Sequence, residues 1–440
     1  MIDKEPILQV GIIDGRNRIN VEFLGEFAVG DDSSVEGDFS ASVQGQSIVM
    51  ADRHQKVIAR GDTIVCKQRK NSRFRLKEVV IGSGFHWQQN QDQVFDGDLM
   101  FLAREDGTLT AVNNISLEQY LSSVISSEMN AVAPQEFLKA HAITSRSWLI
   151  AMLDRKVNRG ATAARTLEKE NELIRWYDRE DHDLYDVCAD DHCQRYQGIT
   201  GITDPVRNAV EETRGECLLY GDRVCDARFS KCCGGLTERF ETCWEDVHVP
   251  YLQSVSDSIQ RYNPITDESD AKEWIRSSPE AYCNTADKVL LGRILPSFDQ
   301  KTRDFFRWKV VYKREDLGDL LREKSGFDFG TLQHLVSVER GPSGRISKLK
   351  IEGSRKTIIV GKELEIRRWL SKTHLYSSAF VVETVPMGAG VPERFILHGA
   401  GWGHGVGLCQ IGAAVMATKG FNAGQILKHY FRGTALKKLY

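Results

Sequence analysis

Between His398 and Gly412, glycine recurs at positions 399, 401, 403, 405 and 407, with Trp402 and His404 among the residues between them. In an extended segment, spacing of period two puts all five glycines on one side and the intervening side chains on the other. A strand gains no packing from five glycines and loses rigidity. The pattern therefore predicts a bare backbone surface that something else approaches closely. Trp402 offers a flat apolar ring there, and His404 a hydrogen-bonding tip. A tight crossing of two backbone segments would produce the same spacing. A phosphate loop would not, because no Gly-Lys-Ser/Thr follows and no G-x-G-x-x-G register fits a strand-to-helix turn.

The chain has 440 residues, enough for two or three compact units or for one core with a large insertion. Apolar content of 41% and charged content of 27% describe a globular protein. A net charge of −3 argues against a nucleic-acid or anionic-membrane binder, which needs a basic face. No run of about 18 apolar residues occurs, so no transmembrane helix is expected. The first residues, Met1-Ile-Asp-Lys-Glu-Pro6, lack a basic region followed by an apolar one, so no signal peptide is expected. Seven of the ten cysteines (Cys188, Cys193, Cys217, Cys225, Cys232, Cys233 and Cys243) fall in one short span. Such crowding suggests metal ligation or local bridges. With no export signal, reduced thiols and a metal are favoured over disulfides.

Residues up to about 112 read as β, in short alternating runs such as Ile7–Ile13, Ile19–Leu24, Thr63–Cys66, Phe74–Ile81 and Leu99–Leu102. The period then changes. Leu117, Tyr120, Leu121, Val124, Ile125 and Met129 follow helical spacing, with Ser116 as N-cap. A second helix starts at Pro134 and runs to about Leu153. The charged stretch 155–181 reads as a solvated connection, and 265–300 as a helical excursion. Phe305–Tyr312 reads as a strand, Asp316–Lys324 as a short helix, and Val336–Arg340 with Arg345–Ile351 as a hairpin. Helices are expected near Ala413–Lys419 and Ala423–Tyr430. The expected class is α+β: an antiparallel β-rich N-terminal region, then a mixed core with segregated helices and a glycine-rich strand near the C-terminus.

Two clusters carry chemistry. On the first helix Glu128 lies near the middle of the apolar face, so its carboxylate is either buried or points into a cavity beside the core. Burial disfavours the ionised form, as a general acid near neutral pH requires. Alternatively the helix ends before 128 and Glu128 is a surface residue. The second cluster, His182, Cys188, His192 and Cys193, supplies two imidazoles and two thiolates within twelve residues. That set suits tetrahedral Zn²⁺ in a structural site with no open position for water. A Cys188–Cys193 disulfide, or unrelated buried thiols, are the alternatives. Cys225, Cys232, Cys233 and Cys243 have no histidine at ligand spacing and receive no assignment.

Together these segments resemble the stage II sporulation protein D (SpoIID/LytB) family of peptidoglycan lytic transglycosylases. Val112–Met129 resembles the family's "VN-x-L-x-L-E-x-YL-x-x-V-x-x-SEM" segment, and Lys139–Arg146 its "KAQA-x-A-x-R". Ala227–Thr237 is similar to "A-x-x-S-x-x-SGG-x-T", Arg340–Arg345 to "R-x-x-SGR", and Gly401–Ala413 to "GWGHGVGMSQ-x-GA". The resemblance implies a SpoIID-like catalytic domain over 81–440, preceded by a β-rich region over 1–80. It implies peptidoglycan glycan strands or wall fragments as substrate, and cleavage of the MurNAc–GlcNAc bond with formation of 1,6-anhydro-MurNAc. The family's catalytic glutamate maps onto Glu128. Lys139, Arg146, Ser230, Gly235, Trp402, His404 and Gln410 become candidate substrate-binding residues, and the His182–Cys193 cluster matches zinc-binding members. No organic cofactor is implied. Cys233, His141 and Cys409 depart from the family's Ser, Gln and Ser.

Three rivals stand beside this. A non-catalytic glycan binder that enhances a cell-wall amidase would use the same groups without Glu128 chemistry. A hydrolytic glycosidase would need a second acid, such as Glu211 or Asp226, to activate water. A zinc hydrolase is disfavoured because four protein ligands leave no site for water. The substrate implies the cell envelope; the missing leader would fit a cytoplasmic enzyme acting on imported fragments.

Overall fold

Apolar alternation over the first 116 residues resolves into ten strands. They are β1 (Ile7–Arg16), β2 (Arg18–Val29), β3 (Ser33–Gln44), β4 (Ser47–Asp52), β5 (Val57–Gly61), β6 (Thr63–Gln68), β7 (Arg73–Ile81), β8 (Gln89–Phe95), β9 (Asp98–Ala103) and β10 (Leu109–Ser116). The computed structural model describes residues 4–30, 33–45, 47–82, 88–158, 166–177, 182–190, 192–296, 299–300, 304–387 and 391–440. Contacts divide the chain into two units, Met1–Val132 with Arg179–Glu216 and Lys438–Tyr440, and Ala133–Asp178 with Cys217–Lys437.

In the first unit the strands form one sheet in the order β13-β1-β10-β9-β6-β2-β3-β4-β5, where β13 is Val187–Cys188; β7 pairs with β2, and β8 with β7. Leu8, Val10, Val21, Phe23, Phe27, Phe74, Phe95 and Phe101 point inward and are fully buried or nearly so. Each contributes about 1.5–3 kcal/mol of burial. A boundary at residue 80 cuts through this sheet, since β7 pairs with β8 (Ile81↔Gln89) and β1 with β10 (Ile7↔Ser116). Helix α1 (Leu117–Glu128) follows β10, and Leu117, Tyr120, Leu121, Val124 and Ile125 are completely buried. Ser116 is its N-cap, although the Ser116 hydroxyl meets the Gln119 side chain rather than the helix N–H groups. Helix α3 (Asp204–Glu212) completes this unit.

The second unit opens with α2 (Gln135–Asn158), begun where the Pro134 carbonyl accepts from Phe137 and Leu138 N–H. The charged stretch is not wholly a connection. Strands β11 (Thr166–Lys169) and β12 (Glu172–Arg175) form a hairpin, because Leu173 and Ile174 are apolar enough to be buried while their charged neighbours stay outside. Residues 159–165 and 178–181 of that stretch lie outside the described residues. The hairpin joins a sheet ordered β11-β12-β20-β19-β18, with β18 Leu332–Arg340, β19 Ile346–Gly353 and β20 Thr357–Gly361. A second sheet, β17-β22-β21, holds β17 (Arg307–Lys313), β21 (Phe380–Met387) and β22 (Val391–Ala400).

Helices α7 (Arg314–Ser325) and α8 (Glu363–Trp369) share one core with both sheets, through Leu317, Leu321, Leu349, Ile351, Val360, Ile366, Trp369, Phe395 and Leu397. The helical excursion holds α5 (Glu268–Arg276) and α6 (Lys288–Ile294). Ala271 and Ile275 of α5 pack with Leu236, Val381 and Ala400. Short elements carry the rest: β14 (Glu216–Tyr220), β15 (Arg223–Val224), β16 (Phe229–Ser230), α4 (Phe240–Cys243), β23 (Leu408–Cys409), α9 (Gln410–Thr418) and α10 (Ala423–Tyr430). The fold is α+β.

Candidate functional site

Glu128 is the last residue of α1, and Met129 leaves the helix in an extended conformation. The carboxylate is half-buried rather than sealed. Its Oε1 accepts from Arg195 N–H at 3.1 Å, while the Arg195 guanidinium donates to Ser127 O at 3.2 Å. The segment bearing Arg195 is fixed on both sides. Tyr196 stacks on Tyr120 of α1 with centroids 5.1 Å apart and donates to Asn113 at 2.6 Å, and Gln197 N–H donates to Ser123 Oγ at 3.1 Å. The residues just before Glu128, Ser126 and Ser127, help to line a pocket of about 210 Å³ with Gln91, Gln93, Gln197 and Thr200.

Two residues before Arg195 the predicted metal cluster comes together. The ligand atoms of His182, Cys188, His192 and Cys193 all lie within 4.8 Å of one another. Cys193 Sγ sits 3.4 Å from His182 Nε2 and 3.5 Å from His192 Nδ1, and Cys188 Sγ 3.8 Å from His192 Nδ1. Hydrogen bonds from Cys193 and the two imidazoles hold the Cys188 thiol well below its usual range. Two thiolates and two imidazoles at this spacing fit a tetrahedral divalent ion. All ten cysteines are free in the structure, so no Cys188–Cys193 bridge forms.

The glycine-rich segment is not the extended ribbon its spacing predicts. Strand β22 ends at Ala400, and Gly401, Gly403, Gly405 and Gly407 each have φ between +74° and +85°. Period two here comes from alternating left-handed residues, which only glycine adopts freely. The alternative holds instead: backbone crosses backbone. A Cβ on Gly401 would lie 2.8 Å from Cys232 O, and one on Gly407 2.1 Å from Arg228 O. Gly407→Ala is therefore expected to cost about 1–2 kcal/mol from the left-handed backbone alone, before the clash is added. Urea denaturation checks this.

What the glycines wrap is Arg345, fully buried and missing from the sequence-based candidates. A Cβ on Gly405 would strike its guanidinium at 2.4 Å. Arg345 Nε and Nη2 donate to Gly403 O at 3.1 and 3.0 Å, and Nη1 to Cys233 O at 3.1 Å and Ser343 Oγ at 2.9 Å. Ser343 Oγ in turn donates to Glu238 Oε2 at 2.6 Å. Burial raises the pKa of Glu238, partly offset by hydrogen bonds from Ser343 and Arg239 N–H and by the charge of Arg345.

The second unit also holds the other candidates. Trp402 is half-buried, stacked on Tyr376 at 4.3 Å and tilted against Phe305. His404 Nδ1 accepts from Val406 N–H at 3.0 Å, and desolvation with nearby Arg228 and Arg345 holds its pKa well below the usual range. It is therefore a neutral ring fixed inside the loop. Ser230 is buried on β16, its hydroxyl without a partner among the described residues, and Gly235 has φ of +103° against Trp274. Lys139 on α2 pairs with Glu136 at 2.9 Å, and Arg146 on the same helix is fully buried. Gln410 is buried and meets His141 Nε2 at 3.3 Å.

His141 itself is fully enclosed, stacked on Phe137, and burial with the charge of Lys231 pushes its pKa down to about 3. The unfolded imidazole binds a proton below about pH 6.5 while the folded one does not, so His141 removes stability as pH falls from there. His141→Gln is expected to remove about 1.4 kcal/mol of destabilisation per pH unit between pH 6 and pH 4. Denaturation series at several pH values read this directly.

Comparison with known proteins adds the following. Residues 105–220 match the family described as "Stage II sporulation protein", and residues 238–407 match one described as "Domain of unknown function (DUF8618)". An uncharacterized protein of Brachyspira hyodysenteriae is 27% identical over 338 residues, 77% of this chain and 70% of that one. Stage II sporulation protein D of Bacillus amyloliquefaciens is 26% identical over 330 residues, 74% of this chain and 76% of that one. The amidase enhancer of Bacillus subtilis is 26% identical over 244 residues, 52% of this chain but 32% of its own length. The first match encloses α1, Glu128, the His182–Cys193 cluster and Arg195. Residues 105–220 thus match the stage II sporulation protein family model, and the relatives named stage II sporulation protein D are similar to this chain over 74% of its length.

Proposed function

We propose that the chain is a peptidoglycan lytic transglycosylase in which Glu128 acts first as general acid and then as general base. The observation that carries this is the fixed position of Glu128, half-open to solvent and hydrogen-bonded to Arg195 N–H, directly after the pocket-lining Ser126 and Ser127 and within the family-matched segment. Protonated Glu128 gives its proton to the leaving glycosidic oxygen as oxocarbenium character develops at the anomeric carbon. The carboxylate then takes the proton of the C6 hydroxyl, which attacks intramolecularly and closes the anhydro ring. A tethered nucleophile needs no second carboxylate and no positioned water. The cell envelope is where such a substrate lies. The test is stripped wall glycan incubated with the chain: anhydro-MurNAc ends support the proposal, and intact or reducing-ended strands oppose it.

His182, Cys188, His192 and Cys193 would hold Zn²⁺, which supplies a structural cross-link and no open coordination position. The residues it ties together lead directly into Arg195, so the metal cluster holds the N–H that positions Glu128. His192→Ala is expected to lower bound metal by one equivalent and cleavage by about tenfold or more. Elemental analysis and product counting on the same preparation check both.

A second reading, amidase enhancement without cleavage, is favoured by the similarity to the Bacillus subtilis amidase enhancer. It predicts that an added wall amidase is stimulated equally by the wild type and by Glu128→Gln.

A further inference from the structure

We infer that the second unit holds a metal site of its own, a tetrahedral zinc centre made by Cys233, Asp257, Cys283 and Cys409. These four residues come from separate stretches: the loop after β16, the segment before α5, the segment between α5 and α6, and the start of α9. Their ligand atoms nevertheless lie within 4.8 Å of one another. Cys233 Sγ and Cys283 Sγ are 3.6 Å apart. Zn–S bonds of about 2.3 Å place two thiolates of a tetrahedron about 3.8 Å apart. A four-iron cluster would hold its cysteines much further from one another, so the spacing fits a single ion. Three of the four donors are soft thiols, which disfavours Mg²⁺ and Ca²⁺ and favours zinc.

The surroundings are built as a ligand set requires. All four residues are at most 2% exposed. Asp257 is a fully buried carboxylate, and among the described residues no lysine or arginine forms an ion pair with it. A buried carboxylate is normally paired with a cation or bound to a metal. Its oxygens are oriented by Tyr430 OH at 2.5 Å and Cys283 N–H at 2.8 Å. Gly412 leaves room for it, since a Cβ there would lie 2.3 Å from Asp257 Oδ1. Backbone N–H groups reach the sulfurs, from Cys233 to Cys409 Sγ at 3.2 Å and from Gly235 to Cys233 Sγ at 3.4 Å. Such outer hydrogen bonds are what orients and tunes metal ligands. Cys409 is also the N-cap of α9, where negative charge is favoured.

Four protein ligands close the coordination sphere, so the role is structural. The ion ties the α5–α6 excursion, through Cys283, to the two segments that enclose Arg345 and the glycine loop. Cys232, the neighbouring thiol, is already engaged through its backbone with Trp402, by N–H to Trp402 O at 3.2 Å and from Trp402 N–H at 2.7 Å. Its thiol meets those of Cys283 and Cys409, but Cys232 is not among the four residues whose ligand atoms all lie within 4.8 Å of one another.

The test uses the full chain purified without chelator, with zinc counted by elemental analysis and by native mass spectrometry. Two zinc ions per chain are expected in the wild type, and one in the doubly substituted His182→Ala, Cys193→Ser chain. Loading that variant with Co²⁺ should give the intense near-ultraviolet sulfur-to-cobalt charge transfer and strong visible bands of a tetrahedral thiolate site. Cys232→Ser should keep both zinc ions, and Asp257→Asn or Cys283→Ser should lose one. If neither of those folds, the first-cluster variant alone decides the question. A folded first-cluster variant that takes up neither zinc nor cobalt overturns the assignment, as does a Cys233–Cys283 disulfide in protein lysed directly into alkylating agent without reductant.

Discussion

Glu128→Gln should leave the fold and glycan binding unchanged and lower anhydro-product formation by about 10²–10⁴-fold, the usual worth of a positioned general acid–base. The substitution is nearly isosteric, and the amide oxygen can still accept from Arg195 N–H, so the 3.1 Å bond that fixes the side chain survives. What disappears is the transferable proton. Because one carboxylate serves both half-steps, no other acid takes over, and Glu211 and Asp226 are each already engaged by arginine. Glu211 lies on α3 and pairs with Arg214, while Asp226 is buried between Arg155 and Arg228 in the second unit. Retained turnover in Glu128→Gln would remove this residue from the mechanism. Co-sedimentation with insoluble wall glycan distinguishes lost chemistry from lost binding.

Arg345→Met should cost about 3–5 kcal/mol of stability in the second unit, the range for removing one member of a buried charged network. The buried carbonyls of Gly403 and Cys233 lose their donors, at about 1–3 kcal/mol each. Glu238 loses the nearby positive charge that offsets its burial. Arg345→Lys should recover little of the loss, since one ammonium cannot reproduce a fork that reaches Gly403, Cys233 and Ser343 together. Urea midpoints for both variants, with limited proteolysis mapped to residues 401–407, give the size and the place of the effect.

Elements whose side chains alternate or repeat by their own local rule were legible in the sequence. Helix α1 shows its buried face at i, i+3, i+4 and i+7, and the β18–β19 hairpin declares itself through Gly-Pro-Ser-Gly between two apolar runs. Strands β3 and β5 were not legible: their runs of Ser, Glu, Asp, Arg and Gly alternate weakly, and pairing with β2 and β4 holds them in place. The glycine segment misled because period two has two physical causes, a strand face or alternating left-handed residues. Arg345 escaped notice because an arginine after a turn reads as solvent-exposed; its place at the end of the Arg340–Arg345 motif was the available signal. The His182–Cys193 cluster was visible because its ligands are near neighbours in sequence. Cys233, Asp257, Cys283 and Cys409 meet only after folding, so no spacing rule reveals them.

Stripped wall glycan digested in heavy-oxygen water, with every product weighed, tests the proposed chemistry most directly. Ring closure by the sugar's own hydroxyl gives fragments one water lighter than hydrolysis products, carrying no heavy oxygen. Fragments that carry the label at a reducing end would mean that water is the nucleophile and would contradict the one-carboxylate mechanism.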